Sequence, residues 1–201
     1  MKRLPRAERE RQMLAEARTL FAERGFTAVT MDEVAARVGV TKPLLYAYFG
    51  NKERLYLACM EPAGEALVST VAEAIRETAS PADALRAGVH AFFAFVDADR
   101  SAWRVLFDDT LPAGAEPARR AAAQRERLVS LVAAAQLARL PAPRRAAGQA
   151  RIAALSAALL GAAEALARWW LRSGTTMPAA DAAELLVRTL EPGLRAPALS
   201  G

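Results

Sequence analysis

Between Val38 and Glu53 the chain reads VGVTKPLLYAYFGNKE. Gly39 and Gly50 bracket this stretch, a proline stands where a helix should begin, and the aromatic cluster is too exposed by pattern to be pure core. Just upstream, Thr30 and Glu33 have the S/T-x-x-E spacing of a capping box, in which each side chain satisfies an orphan backbone N–H at a helix start. Val34, Ala35 and Val38 supply the buried face of that helix, and Gly39 ends it. Thr41 then opens a second short helix reaching about Tyr48. Pro43 falls in its first turn, where a backbone N–H has no intrahelical partner and its loss costs little. Two short helices joined through Gly39-Val40 form a helix-turn-helix, whose second helix presents its N-terminal residues to the major groove.

The flanks follow from the same signals. A helix from about Arg6 to Arg24 carries Leu14, Ala17, Leu20 and Phe21 at helical spacing, with Gly25 placed to end it. Asn51 caps a fourth helix, with Glu53 in its first turn. Beyond Pro62, helices are expected from Ser80-Pro81-Ala82-Asp83 through ALRAGVHAFFAFV, then at about Arg100–Asp109, Pro117–Leu140, Pro143–Ser173 and Pro178–Glu191. No stretch alternates with period two for long enough to make a strand, so the fold class is all-α.

Of the 201 residues 53% are hydrophobic, ample for a core, and 6% are aromatic. The single cysteine, Cys59, excludes an internal disulfide framework and a multi-cysteine zinc site. The first dozen residues are charged, which predicts no secretory leader. The longest apolar stretch, Ile152 to Ala163, has 12 residues, below the roughly 18–20 of a membrane span. A soluble, cytoplasmic protein with no membrane partner is therefore expected. The first 60 residues hold 11 Lys and Arg against 7 Asp and Glu, leaving the rest of the chain near neutrality. That basic front end, led by Lys2, Arg3, Arg6, Arg9 and Arg11, points to an anionic partner, nucleic acid before membrane.

At Ala15 to Met60, AEARTLFAERGFTAVTMDEVAARVGVTKPLLYAYFGNKERLYLACM resembles the DNA-binding domain of the TetR family of transcriptional regulators. The spacing from Phe21-Ala22-Glu23-Arg24-Gly25-Phe26 through Thr30 to Gly39-Val40-Thr41-Lys42 carries the resemblance, continued by Leu45-Tyr46, Tyr48-Phe49 and Lys52-Glu53. It implies a homodimeric regulator, a repressor released from its operator by a small-molecule effector. It also implies a three-helix DNA-binding domain at 1–52, a larger helical effector-binding and dimerisation domain at 53–192, and a frayed tail at 193–201. Pro43-Leu44 and Ala47 depart from the family's usual Gly-Thr and His, so the operator sequence is not carried over.

The resemblance places Thr30, Thr41, Lys42, Pro43, Leu44, Tyr46, Tyr48 and Lys52 at the DNA. Between Lys42 and Phe49 there is no Arg, Asn or Gln for bidentate base contacts. Pro43 and Leu44 would meet thymine methyls, Tyr46 would add a ring and hydroxyl, and Thr41, Lys42, Tyr48 and Lys52 would hold phosphates. Leu45 and Phe49 are core by spacing. The effector would be met by Phe93, Trp103, Phe107 and Glu164, the last the one acid inside a strongly apolar helix. The dimer would form through Ala154, Ala158, Gly161 and Ala165, small residues that allow close helix approach, with Leu186 and Leu190. The competing class is a helical interaction module or an enzyme. A lone His90, the absence of a Gly-rich phosphate loop and a carboxylate run without calcium-loop spacing leave it without catalytic, metal or cofactor residues.

Overall fold

The computed structural model describes residues 5–195, and among these there are nine α-helices and no strand. They are α1 (Arg6–Ala28), α2 (Met31–Val38), α3 (Lys42–Phe49), α4 (Lys52–Arg76), α5 (Pro81–Ala98), α6 (Arg100–Leu106), α7 (Glu116–Ala138), α8 (Ala142–Arg172) and α9 (Ala179–Arg195). The all-α expectation holds. α9 runs into the stretch expected to fray, and residues 196–201, like Lys2 and Arg3 of the basic arm, lie outside the described residues. The chain divides into two compact units, one of residues 1–65 and 99–123, the other of 66–98 and 124–201. α4 and α7 each contribute residues to both.

In unit 1 the local signals act as read. Glu33 N–H donates to Thr30 Oγ1 at 3.3 Å and Thr30 N–H to Glu33 Oε2 at 2.8 Å, closing the capping box of α2. Gly39, at φ 74°, ends that helix in the left-handed conformation. Arg54 N–H donates to Asn51 Oδ1 at 2.8 Å at the start of α4. One boundary differs. Gly25, at φ 77°, breaks α1 without ending it, and a further turn continues to Ala28. A Cβ at Gly25 would lie 2.6 Å from Thr110 Oγ1, so only glycine fits this bend.

The core of unit 1 is built on Met13, Phe21, Leu45, Leu55, Tyr56 and Val105. Phe21, Phe26 and Tyr56 meet edge to face or stacked at 4.9–6.3 Å. The Tyr56 hydroxyl donates to Val105 O at 2.6 Å, so its burial leaves no orphan. In unit 2, α5 packs on α9 and α8, with Phe93, Val96, Ala167, Ala182 and Val187 fully or nearly fully buried. Between α5 and α9, Glu184 accepts from Arg86, from Arg188 at 2.8 Å, and lies 3.5 Å from His90 Nε2. Those donors hold its carboxyl down at about 2, the Arg86 hydrogen bond contributing most.

α8 departs from the expectation for apolar stretches. Gly148–Arg172 is long and apolar enough, by length and composition, to cross a membrane, and only 22% of its most apolar window is buried in the chain. Counting uninterrupted apolar residues missed this because Glu164 breaks the run. Glu164 is paired within the chain. Arg125 Nε of α7 donates to it at 3.1 Å. Its helix also turns Leu160, Ala163, Ala167 and Trp170 into the core.

Candidate nucleic-acid interface and effector cavity

α3 is held by one face and free on the other. Leu45 is wholly buried and Phe49 nearly so, while Thr41, Lys42, Pro43, Leu44, Tyr46 and Ala47 are exposed. Leu44 and Tyr46, at 39% and 40% exposed, are among the few large apolar side chains left to solvent. Exposing such groups costs about 25 cal/mol per Å² of apolar surface, so a partner that covers them recovers that energy. Thr41 is at the N-cap but makes no side-chain cap bond, which leaves its hydroxyl to other partners. Lys42 lies 2.7 Å from Asp32, whose hydrogen bond raises the lysine pKa and keeps it charged. That pair is exposed and therefore weak, and a phosphate can compete for it. Tyr48 is half-buried, and the Arg6 guanidinium stands 5.1 Å above its ring, which brings one residue of the basic front end beside α3.

Two of the residues expected at the DNA are also engaged within the chain. Lys52 donates to the carbonyls of Phe26 and Val29, each at 3.0 Å, and lies 4.3 Å over the Phe26 ring. Those orphan carbonyls at the end of α1 attract a cation, which offsets the repulsion at the start of the lysine's own helix. Thr30, for its part, is engaged in the capping box. The end of α1 is also held by the loop after α6: Phe26 N–H donates to Asp108 Oδ2 at 2.7 Å, and Thr27 Oγ1 to Thr110 O at 2.5 Å.

The residues expected at an effector are divided between the two units. Trp103 and Phe107 stack on each other at 4.0 Å, buried in unit 1. Phe93 belongs to unit 2, packed edge-on to Trp170 at 6.3 Å in its core. Glu164 is tied to Arg125. Each of these aromatic residues packs within its own unit. Unit 2 contains a partly open apolar pocket of about 40 Å³, walled by α4 (Val71), α5 (Gly88, Phe92), α7 (Leu128, Val132) and α8 (Ser156, Leu160). Sequence reasoning missed it, although one signal was present: Ser156 is a polar residue on the line Leu160, Ala163, Ala167 and Trp170, the buried side of α8.

Along α8, Ala154, Ala158, Gly161 and Ala165 are all exposed, with Trp169 half-exposed beyond them. Leu190 of α9 is partly covered. Leu186 corrects the expectation. It is 6% exposed in its own unit, and Leu185, at 48%, is the residue that faces out. A helix of period 3.6 puts these neighbours roughly 100° apart, and packing against α5 decides which is inside.

Cys59 is buried, and desolvation pushes its thiol up to about 12, far from a nucleophile's range. Among the described residues no three His, Cys, Asp or Glu side chains gather as metal ligands would.

Residues 13–59 match the model of bacterial regulatory proteins of the tetR family, and residues 81–191 that of the tetracyclin repressor-like C-terminal domain. The HTH-type transcriptional activator FasR of Mycolicibacterium smegmatis is 45% identical over 107 residues, 53% of this chain and 49% of FasR. The match thus spans about half the length of that relative. A TetR-like transcriptional regulator from Rhodococcus sp. RHA1 superposes with a TM-score of 0.77 at 33% identity, covering 96% of this chain and 98% of its own. FadR from Bacillus subtilis, solved with stearoyl-CoA, superposes at 0.72 with 15% identity, covering 90% and 96%, a likeness of fold alone. With both family models matched in order and a relative aligned over nearly its whole length, the chain belongs to the TetR family of bacterial regulatory proteins.

Proposed function

We propose that this chain is a homodimeric transcriptional regulator that reads operator DNA through α3, acts in the cytoplasm, and responds to a small apolar effector held in unit 2. The observation that carries the DNA reading is the two-sided α3, locked by Leu45 and Phe49 and open at Thr41 through Leu44 and Tyr46. Residues 1–52 read DNA in this view, and 53–192 serve the effector and the dimer. Pro43, Leu44 and Tyr46 read bases by apolar contact, while Thr41, Lys42 and Tyr48 hold phosphates. Release of a repressor is the simplest response. FasR is named an activator, so the sign of regulation is decided by a promoter reporter with and without the regulator.

One α3 offers few base contacts, so two act across a pseudo-palindrome, spaced roughly 34–36 Å apart. The exposed small-residue side of α8, with Leu185 of α9, is the surface for a second copy. It is apolar, narrow in side-chain bulk, and uncovered in the chain itself. The apolar cavity supports an acyl-type effector, the class named with FadR.

The test mixes the purified protein with fragments of its own promoter region at moderate salt. Retention no stronger than that of random DNA overturns the regulator reading. Gly161→Arg, placed where nothing lies within 4 Å of a new Cβ, should give a folded monomer that no longer retains the operator. A variant that stays dimeric by mass and binds normally rejects this interface.

A further inference from the structure

In unit 1, Arg18 of α1 pairs with Asp99 at the start of α6, Arg24 of α1 with Glu33 of α2, and Arg37 of α2 with Glu16 and Glu23 of α1. Each of these pairs ties helices together away from α3. The pair of Lys42 with Asp32 is different, because Lys42 opens α3 among the exposed residues Thr41, Pro43 and Leu44. Asp32, at 64% exposed, is more open to solvent than any acid in those other pairs. Its carboxylate is not needed to begin α2, since Thr30 and Glu33 already close the capping box there. What it holds is the Lys42 ammonium, at 2.7 Å.

That ammonium is the one expected to meet a phosphate. Two acceptors on one ammonium, each at about 2.8 Å, stand roughly 4–5 Å apart. Two anions that close lie well inside the Debye length of about 10 Å at 0.1 M salt, so their repulsion is only partly screened. Lys42 must therefore leave Asp32, or hold two anions that repel each other. An exposed ion pair is weak enough for the phosphate to win. The phosphate wins with less affinity than it would have at a free lysine. Every duplex presents the same phosphates, so the loss falls on all sequences alike.

We propose that Asp32 is an autoinhibitory contact, whose carboxylate occupies Lys42 in the free protein and competes with DNA phosphate for that ammonium. It sets how tightly the head holds DNA and leaves the choice of sequence to the exposed side chains of α3. The inference rests on the DNA reading above and adds a counterweight to it.

The experiment measures binding of the full-length protein to a fragment of its own promoter region and to a random duplex of the same length. Fluorescence anisotropy is read at about 50 mM and about 200 mM salt. Asp32→Asn keeps the side chain's shape and spares the capping box, so its thermal melt should match the parent's. It should bind both duplexes about three- to tenfold more tightly at the lower salt, with a smaller gain at the higher. Asp32→Glu, which keeps the charge, should stay near the parent. In a Lys42→Ala background the gain from Asp32→Asn should shrink to about twofold or less, the part due to the carboxylate's own charge. An equal gain in both backgrounds overturns the competition for Lys42. Weaker binding by Asp32→Asn overturns it too, because the carboxylate would then be positioning the lysine for phosphate. A gain confined to the promoter fragment overturns the claim that all sequences are affected alike. A parent that retains neither duplex rejects the regulator reading and this contact with it, whereas unchanged affinity in Asp32→Asn with the promoter fragment still retained rejects the contact alone.

Discussion

In unit 1 polar side chains close the helix ends, and in unit 2 four helices line a partly open apolar pocket. Lys52 and Asp108 both grip the end of α1, the first through the carbonyls of Phe26 and Val29, the second through the Phe26 N–H. Thr30 and Glu33 lock the start of α2, and Arg24 ties to Glu33 at 2.6 Å. These bonds fix the backbone from which α3 projects. Unit 2 has its own cross-links, with Arg139 donating to Ile75 O at 2.9 Å and Glu184 bridging α5 and α9. Yet it keeps a partly open apolar pocket of about 40 Å³, where packing is looser than in a close-packed interior. A head that must present a few side chains in register gains from rigidity, and a unit that admits a ligand must leave packing incomplete.

The largest test of this contrast is Leu45→Ala. Leu45 is wholly buried beneath α3, and its truncation should cost about 2–5 kcal/mol. Operator retention should fall with the stability measured by urea unfolding. A loss below about 1 kcal/mol would mean that α3 is not seated as described.

Lys52→Ala comes next. Removing a charged donor from two carbonyls should cost about 1–3 kcal/mol of stability and leave the salt dependence of DNA binding unchanged. Lys42→Ala should do the reverse, lowering the slope of log K against log salt by about one unit with little effect on stability. If the Lys52 change moves the slope and spares stability, the phosphate contact is restored. Leu44→Ala should relax preference at particular base pairs by about 1–3 kcal/mol across an operator library. A uniform loss over all sequences would instead make Leu44 a packing residue.

The smallest effect is a pH dependence in unit 2. The folded Glu184 carboxyl sits at about 2, below its ordinary value of 4.5, because Arg86, Arg188 and His90 surround it. A depressed acid contributes stability that is complete above its unfolded pKa and is lost as pH falls through the folded one. Thermal melts should therefore decline between about pH 4.5 and pH 2, and Glu184→Gln should flatten that decline. An unchanged profile in the variant would show the cluster to be without consequence for stability.

The sequence alone determined the helix-turn-helix. Thr30 with Glu33, Gly39, Pro43 and Asn51 are legible because capping and turn formation join residues three or four apart, whatever the rest of the chain does. The buried pair Leu45 and Phe49 follows from the same short range, through period alone. Only the tertiary structure decided where Lys52 sends its charge, because its acceptors lie at the end of another helix. Packing likewise placed Trp103 with Phe107 in unit 1, turned Leu186 inward and Leu185 outward, and left Ser156 lining the apolar pocket. Each of those depends on which faces of sequence-distant helices meet, and an amphipathic pattern says that a face is buried without saying against what.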